Sequence, residues 1–188
     1  MAARRGHFLL ESGHHGESWL DVDRLFARPA RLRPLVESLA ERLAAYNLDA
    51  VCGPLTGGAF LAQMVAERLG VAFVYANRVE NPVATGLFPV EYPIPTELAE
   101  YVRGRRVAVV NDVINAGSAV RGALASLRPL GAHPVALGAL LTLGDSAATL
   151  AAAESIPLVA LCEAENRIWA PESCPLCAAN LPLTAATP

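Results

Sequence analysis

Leu32, Leu35, Val36, Leu39, Leu43 and Ala44 recur at the spacing of one helix face, with Pro29 just before them, which predicts a helix over 30–46. A short apolar run at 49–53 reads as a buried strand, and the loop Gly53-Pro54-Leu55-Thr56-Gly57-Gly58 follows it. A helical pattern over 59–69 then stops at Gly70, a residue suited to a helix C-terminus. Further strands are expected at 71–75, 107–111, 134–143 and 158–162, and further helices over about 118–128 and 146–153. Residues 78–105 carry little periodicity and four prolines (Pro82, Pro89, Pro93 and Pro95). A connection that long inside a compact domain suggests a functional flap.

Strands that alternate with helices argue for an α/β fold with a mostly parallel twisted sheet flanked by helices. The length of 188 residues fits a single domain with a sizeable core. Ligands of such sheets bind outside the carboxyl ends of the strands. The loops at 53–58 and 111–118 both sit at such ends, so they are expected to face one cleft.

Composition narrows the chemistry. Apolar residues make up 53% of the chain and charged residues 18%, which describes a globular protein. A net charge of −3 offers no general attraction to nucleic acid. No apolar run approaches the ~20 residues that span a bilayer, and the polar start Met-Ala-Ala-Arg-Arg-Gly-His does not read as a signal peptide, so a cytoplasmic protein without a membrane partner is expected. All 15 basic residues are arginine. Without lysine there is no Walker P-loop and no Schiff-base or pyridoxal-phosphate chemistry. No Gly-x-Gly-x-x-Gly fingerprint of a dinucleotide site occurs either.

Residues 107–124 carry the strongest chemical signal. The apolar run Val107-Ala108-Val109-Val110 ends in the polar pair Asn111-Asp112. The short loop Asn115-Ala116-Gly117-Ser118 then leads into a helical pattern. Amides at a helix N-terminus suit a phosphate, because unpaired donors and the helix dipole both point at it. Asp112 beside that nest can hold ribose hydroxyls or a metal-bound water. In the other loop, glycines allow close approach of a ligand, and the backbone amides and the Thr56 hydroxyl can receive a pyrophosphate.

These residues resemble the phosphoribosyl pyrophosphate (PRPP) motif of type I phosphoribosyltransferases, and the wording Val-Ile-Asn-Ala-Gly-Ser-Ala-Val-Arg is closest to the orotate branch. The resemblance covers about Phe8 to Leu183 by order of motifs. It implies that Asn115, Ala116, Gly117 and Ser118 hold the phosphate of PRPP, and that Thr56, Gly57 and Gly58 hold its pyrophosphate. It implies Mg²⁺ with PRPP, a nucleobase or nucleoside monophosphate as the other ligand, and a homodimer. The opening Phe8-Leu9-Leu10-Glu11-Ser12-Gly13-His14-His15 resembles the base-binding hood, which places Ser12, Gly13 and His14 at the base and draws the hood from about 1–28 and 163–188. Asp112, Asn111 and Arg78 are the implied catalytic residues. The expected activity is transfer of ribose 5-phosphate to a base, the alternative a non-catalytic PRPP- or nucleotide-binding regulator.

Several positions depart from the family pattern. Asn111 stands where an acidic residue is usual, with a modest loss of rate expected, and Glu11 stands where the orotate branch has a lysine. Leu143-Gly144-Asp145 replaces an Asp-Arg pair, and the flap at Asn77-Arg78-Val79-Glu80-Asn81 lacks its lysines, for which Arg78 or Arg103 can substitute. A site that loses Lys and Arg loses partners for a carboxylate, so the identity of the base stays open.

Cys174-Pro175-Leu176-Cys177 is a Cys-x-x-Cys that with Cys162 and one more ligand could hold zinc. The plainer expectation is two reduced thiols in a turn and no metal. No thioredoxin-like unit surrounds the motif. His14 and His15 are candidate ligands, but neighbours in an extended segment point apart, so at least one is expected to face solvent. Trp19 and Trp169 are candidate base-stacking residues, with packing the commoner use.

Overall fold

A computed structural model describes residues 2–80 and 86–185. Its central sheet contains β3 (Ala50–Pro54), β4 (Ala72–Ala76), β7 (Arg106–Ile114), β8 (His133–Leu143) and β9 (Leu158–Ala164), all parallel, in the order β4-β3-β7-β8-β9. The inner strands are apolar on both faces because helices cover both sides. The helices α2 (Pro29–Leu43) and α3 (Gly57–Leu69) pack Leu32, Val36, Leu39, Leu43, Leu61 and Val65 on one face. The helices α4 (Ser118–Leu127) and α5 (Ser146–Glu154) pack Val120, Leu124, Leu127 and Leu150 on the other. The expected α/β fold is therefore present. A single turn, α1 (Asp23–Phe26), precedes α2, and the helix expected to 46 finishes as a 3-10 turn over Ala44–Tyr46.

One strand differs from its expected length. The 107–111 strand continues to Ile114, because Asn111, Val113 and Ile114 still pair with Ala139, Leu141 and Thr142 of β8. Asn111 and Asp112 therefore sit within the strand rather than in the loop after it.

A second sheet is built from both ends of the chain. It holds β1 (Ala2–Leu9), β2 (His15–Asp21), β10 (Ile168–Trp169) and β11 (Thr184–Ala185), in the order β10-β2-β1-β11. In the flap region, β5 (Val79–Glu80) pairs with β6 (Val90–Glu91), and a 3-10 helix covers Thr96–Tyr101. Asn81 and Pro82 of the expected flap lie outside the described residues. The last helical turn, α6 (Pro175–Ala178), follows Cys174. No helix among the described residues is long and apolar enough to cross a membrane.

Candidate functional site

A cleft of about 1180 Å³ opens at the carboxyl ends of β3 and β7, where the chain order of the sheet reverses direction. Its floor is made of residues 54–58 and 111–120, which include most of both segments singled out in the sequence, and its far wall comes from Leu10, Glu11 and Ser12 of the β1–β2 turn and from Ser18 and Trp19 of β2.

The loop 115–117 leads into a helix that starts at Ser118, as expected. Gly117 sits at the N-cap of α4 with φ +79, a conformation that glycine adopts without strain, and no side chain caps the helix. Ser118 is buried, and among the described residues its Oγ is a buried side-chain oxygen with no hydrogen-bond partner. A buried hydroxyl without a partner is costly, and a ligand oxygen at this position would supply one. Ser118→Ala should therefore raise the KM for PRPP about 5- to 10-fold, the value of one hydrogen bond, while the melting temperature of the free protein stays level or rises. An unchanged KM in steady-state kinetics would remove Ser118 from the phosphate site.

The other loop presses directly on the acidic pair. A Cβ on Gly57 would stand 2.3 Å from Asp112 Oδ2, and one on Gly58 would stand 2.3 Å from Asn111 Oδ1. These two glycines open α3, whose N-terminus also lacks a side-chain cap. Thr56 is exposed at that N-cap and lines the cleft, and the Leu55–Thr56 peptide is cis. The Asn111 side chain donates from Nδ2 to Val113 O at 2.9 Å. A carboxylate in that place has no proton to donate, so the amide of Asn111 makes a bond to its own strand that an Asp could not.

The hood residues divide. Ser12 lines the cleft, whereas His14 lines a smaller adjoining pocket of about 450 Å³, and Gly13 (φ +81) lines neither. The Ser12 hydroxyl and His14 Nδ1 lie 3.0 Å apart, and the His14 ring meets Phe88 edge-on at 5.6 Å. Burial lowers the His14 pKa, opposed by the charge of Glu172. Arg121 covers the same Phe88 ring at 4.9 Å. Both cavities touch Ala116 and Leu143, so they adjoin at the loop before α4. Asp145 and Trp169 line the smaller pocket and Trp19 the larger.

Arg78 reaches the cleft but is already paired. Its Nε donates to Glu11 Oε2 at 2.7 Å and its NH1 to Glu80 Oε1 at 2.9 Å. Tyr92 OH donates to Glu11 Oε1 at 2.7 Å. Those bonds hold the Arg78 pKa above its ordinary value, and burial followed by Glu11 raises that of the Tyr92 phenol. Arg103, the alternative flap cation, is exposed beyond the 3-10 helix and does not line the cleft, which leaves Arg78 as the one of the two that does.

Sequence reasoning missed the residues that tie the far wall to the floor. Ser18 Oγ donates to Asn166 Oδ1 at 2.6 Å, and Asn166 Nδ2 donates to Asn115 Oδ1 at 3.0 Å. Asn115 is thereby braced across the cleft. Tyr92, Phe88 and Asn166 lie on unpatterned segments, and nothing local marked them.

The cysteine and histidine expectations need correction. Cys162 is exposed on β9 and takes no part with the other cysteines. Cys174 and Cys177 instead meet His7 and His15. Of the 14–15 pair, His15 is buried against His7, and His14 is half-buried and lines the smaller pocket, so neither is fully exposed.

Comparison with known proteins agrees with this geometry. Residues 21–175 match the phosphoribosyl transferase domain family. The orotate phosphoribosyltransferase of Caldanaerobacter subterraneus subsp. tengcongensis is 30% identical over 95% of this chain and 87% of that protein. That of Pelotomaculum thermopropionicum is 33% identical over 94% of this chain and 86% of its own. Among solved structures, orotate phosphoribosyltransferase from Aeropyrum pernix superposes with a TM-score of 0.65 at 28% identity, over 86% of this chain and 88% of that one.

Proposed function

Because the chain belongs to the phosphoribosyl transferase family, we propose that it moves ribose 5-phosphate from PRPP to a nucleobase in the cleft between residues 54–58 and 111–120. The carrying observation is the unpartnered, buried Ser118 hydroxyl in an uncapped helix N-terminus beside Asp112. The 5-phosphate sits on the amides of 115–118. The pyrophosphate sits on the amides of 56–58 and the Thr56 hydroxyl. A base nitrogen bonds to C1, the C1–O bond breaks, and pyrophosphate leaves with the electron pair. The proton of the attacking nitrogen goes to solvent. Positive charge builds on the sugar as the bond breaks, and the Asp112 carboxylate stabilises it from within the cleft. Asn111 positions Asp112's strand and adds no charge of its own.

Mg²⁺ suits this donor set, since it binds through one or two carboxylates together with substrate phosphates, and Asp112 supplies a carboxylate beside the phosphate loops. When bound, it neutralises charge on the departing pyrophosphate. A homodimer in the cytoplasm belongs to the same reading, and light scattering checks the dimer.

The base is set by Glu11, Arg78 and Tyr92. The relatives named above are orotate enzymes, and orotate is an anion. Here the cation of the flap, Arg78, is engaged by two carboxylates, Glu11 and Glu80, and the cleft is also lined by Arg4 and Arg24. We therefore favour a neutral base over orotate. Glu11→Gln keeps an acceptor for Tyr92 but removes the negative charge, and should raise kcat/KM for orotate relative to neutral bases by about tenfold, the scale of one charge-assisted contact. A panel of bases, with nucleotide products separated by chromatography, tests it. Orotate as the preferred base of the wild type, with no shift in the variant, would overturn this assignment of the base.

A further inference from the structure

We propose that His7, His15, Cys174 and Cys177 form a structural zinc site that pins the C-terminal segment to the β1–β2 hairpin. Four ligand atoms, one from each residue, lie within 4.8 Å of one another. His7 Nε2 stands 3.0 Å from His15 Nδ1, 3.5 Å from Cys174 Sγ and 3.8 Å from Cys177 Sγ. Cys177 Sγ stands 3.2 Å from His15 Nδ1. With ordinary zinc–nitrogen and zinc–sulfur bond lengths, the edges of a tetrahedral N₂S₂ site are roughly 3.3–3.8 Å. These four separations fall on or just beside those edges, and the remaining two pairs lie within 4.8 Å.

The hydrogen bonding of His7 points the same way. Its Nδ1 lies 2.9 Å from the carbonyl oxygen of Leu181. A carbonyl only accepts, so Nδ1 carries a proton, and in the neutral ring Nε2 keeps its lone pair. That lone pair is aimed at the other three ligand atoms. A metal-bound histidine whose second nitrogen donates to a backbone carbonyl shows this arrangement.

Local structure explains how the four meet. His7 lies where the β1–β2 register shifts between Arg5 and Phe8, and His15 opens β2 opposite Leu9. β10 pairs Trp169 with His15 and delivers the chain to Pro171 and the Cys-x-x-Cys. Pro175 then starts a single helical turn, with Cys174 just before it and Cys177 within it. Cys174, His7 and His15 are buried, and Cys177 is the exposed member. The chain next returns through Leu181 to β11 beside Phe8 and Leu9.

The site has a structural reason to exist. Two of the four strands in this sheet, β10 and β11, are two residues long. Pairings that short do not hold a sheet together, and small units of this kind depend on a staple. Two thiolates and two imidazoles in a closed tetrahedral set select zinc and leave no open position for catalysis. The staple holds the hairpin whose turn carries Glu11, Ser12 and His14, so loss of the metal should loosen the base side of the cleft more than the phosphate side.

Untagged protein, purified in reducing buffer without chelator, is analysed for metals by plasma mass spectrometry. The expected content is about one zinc per chain, as for other structural sites. Cys177→Ser and His15→Ala should each lower it to a small residue, while Cys162→Ser retains it. Cobalt(II) loaded into metal-stripped protein should show the intense visible bands of a tetrahedral thiolate site, and that readout needs no folded variant. Protein that holds no zinc and fails to take up equimolar zinc or cobalt would overturn the proposal. So would zinc that survives in Cys177→Ser, or a Cys174–Cys177 disulfide in freshly purified reduced protein.

Discussion

Replacing Asp112 with Asn should lower kcat about 10²- to 10³-fold, the usual cost of removing one preorganised electrostatic stabiliser of a transition state. Asp112 is nearly buried in β7 and lines the cleft against the first turn of α3. Asn keeps the shape and removes the charge, so the fold and the phosphate nest remain. The KM for PRPP should move only a few-fold, because the proposed site gives ground-state binding to the amides of 115–118 and 56–58. Such a split between kcat and KM marks an interaction made mainly in the transition state. An equal fall in binding and turnover would instead make Asp112 a plain substrate anchor.

Gly57→Ala should reduce kcat/KM by a similar factor, and for a related reason. The new methyl group would stand 2.3 Å from Asp112 Oδ2 and 2.8 Å from its Cγ, closer than atoms tolerate. Either the carboxylate or the start of α3 must move, and both belong to the proposed site. Overpacking of this kind costs about 1–3 kcal/mol of stability, so a lower melting temperature should accompany the loss. Asp112 also links the two substitutions. Gly57→Ala combined with Asp112→Asn should lose much less than the product of the separate effects, because residues in contact do not act independently. Full additivity in steady-state kinetics would mean that the two act through separate parts of the cleft.

The parallel sheet was readable because its inner strands are covered on both faces. A run such as Val107 to Val110 is then uninterrupted, and Gly70 punctuates its helix plainly. The strand–loop–helix unit that carries the proposed phosphate site was readable because all its parts are local, from the strand through Gly117 to the first turn of α4. The end sheet was not. β1 reads Ala-Ala-Arg-Arg-Gly-His-Phe-Leu, with no clean alternation, and β10 and β11 exist only by pairing with residues from the other end of the chain. Distance also hid the cluster of His7, His15, Cys174 and Cys177, since His7 and Cys174 are 167 positions apart. Cys162 was nearer in sequence and chemically eligible, but β9 carries it in the central sheet, on the wrong element for the site. The engagement of Arg78 by Glu11 could not be anticipated either, because it joins the turn after β1 to the start of the flap.

The most direct test is base-dependent pyrophosphate release from PRPP by the wild-type protein with Mg²⁺. The account predicts release that needs a base, yields the matching nucleoside monophosphate in equal amount, and falls in Asp112→Asn. PRPP that binds without releasing pyrophosphate for any base, or that does not bind at all, would contradict it.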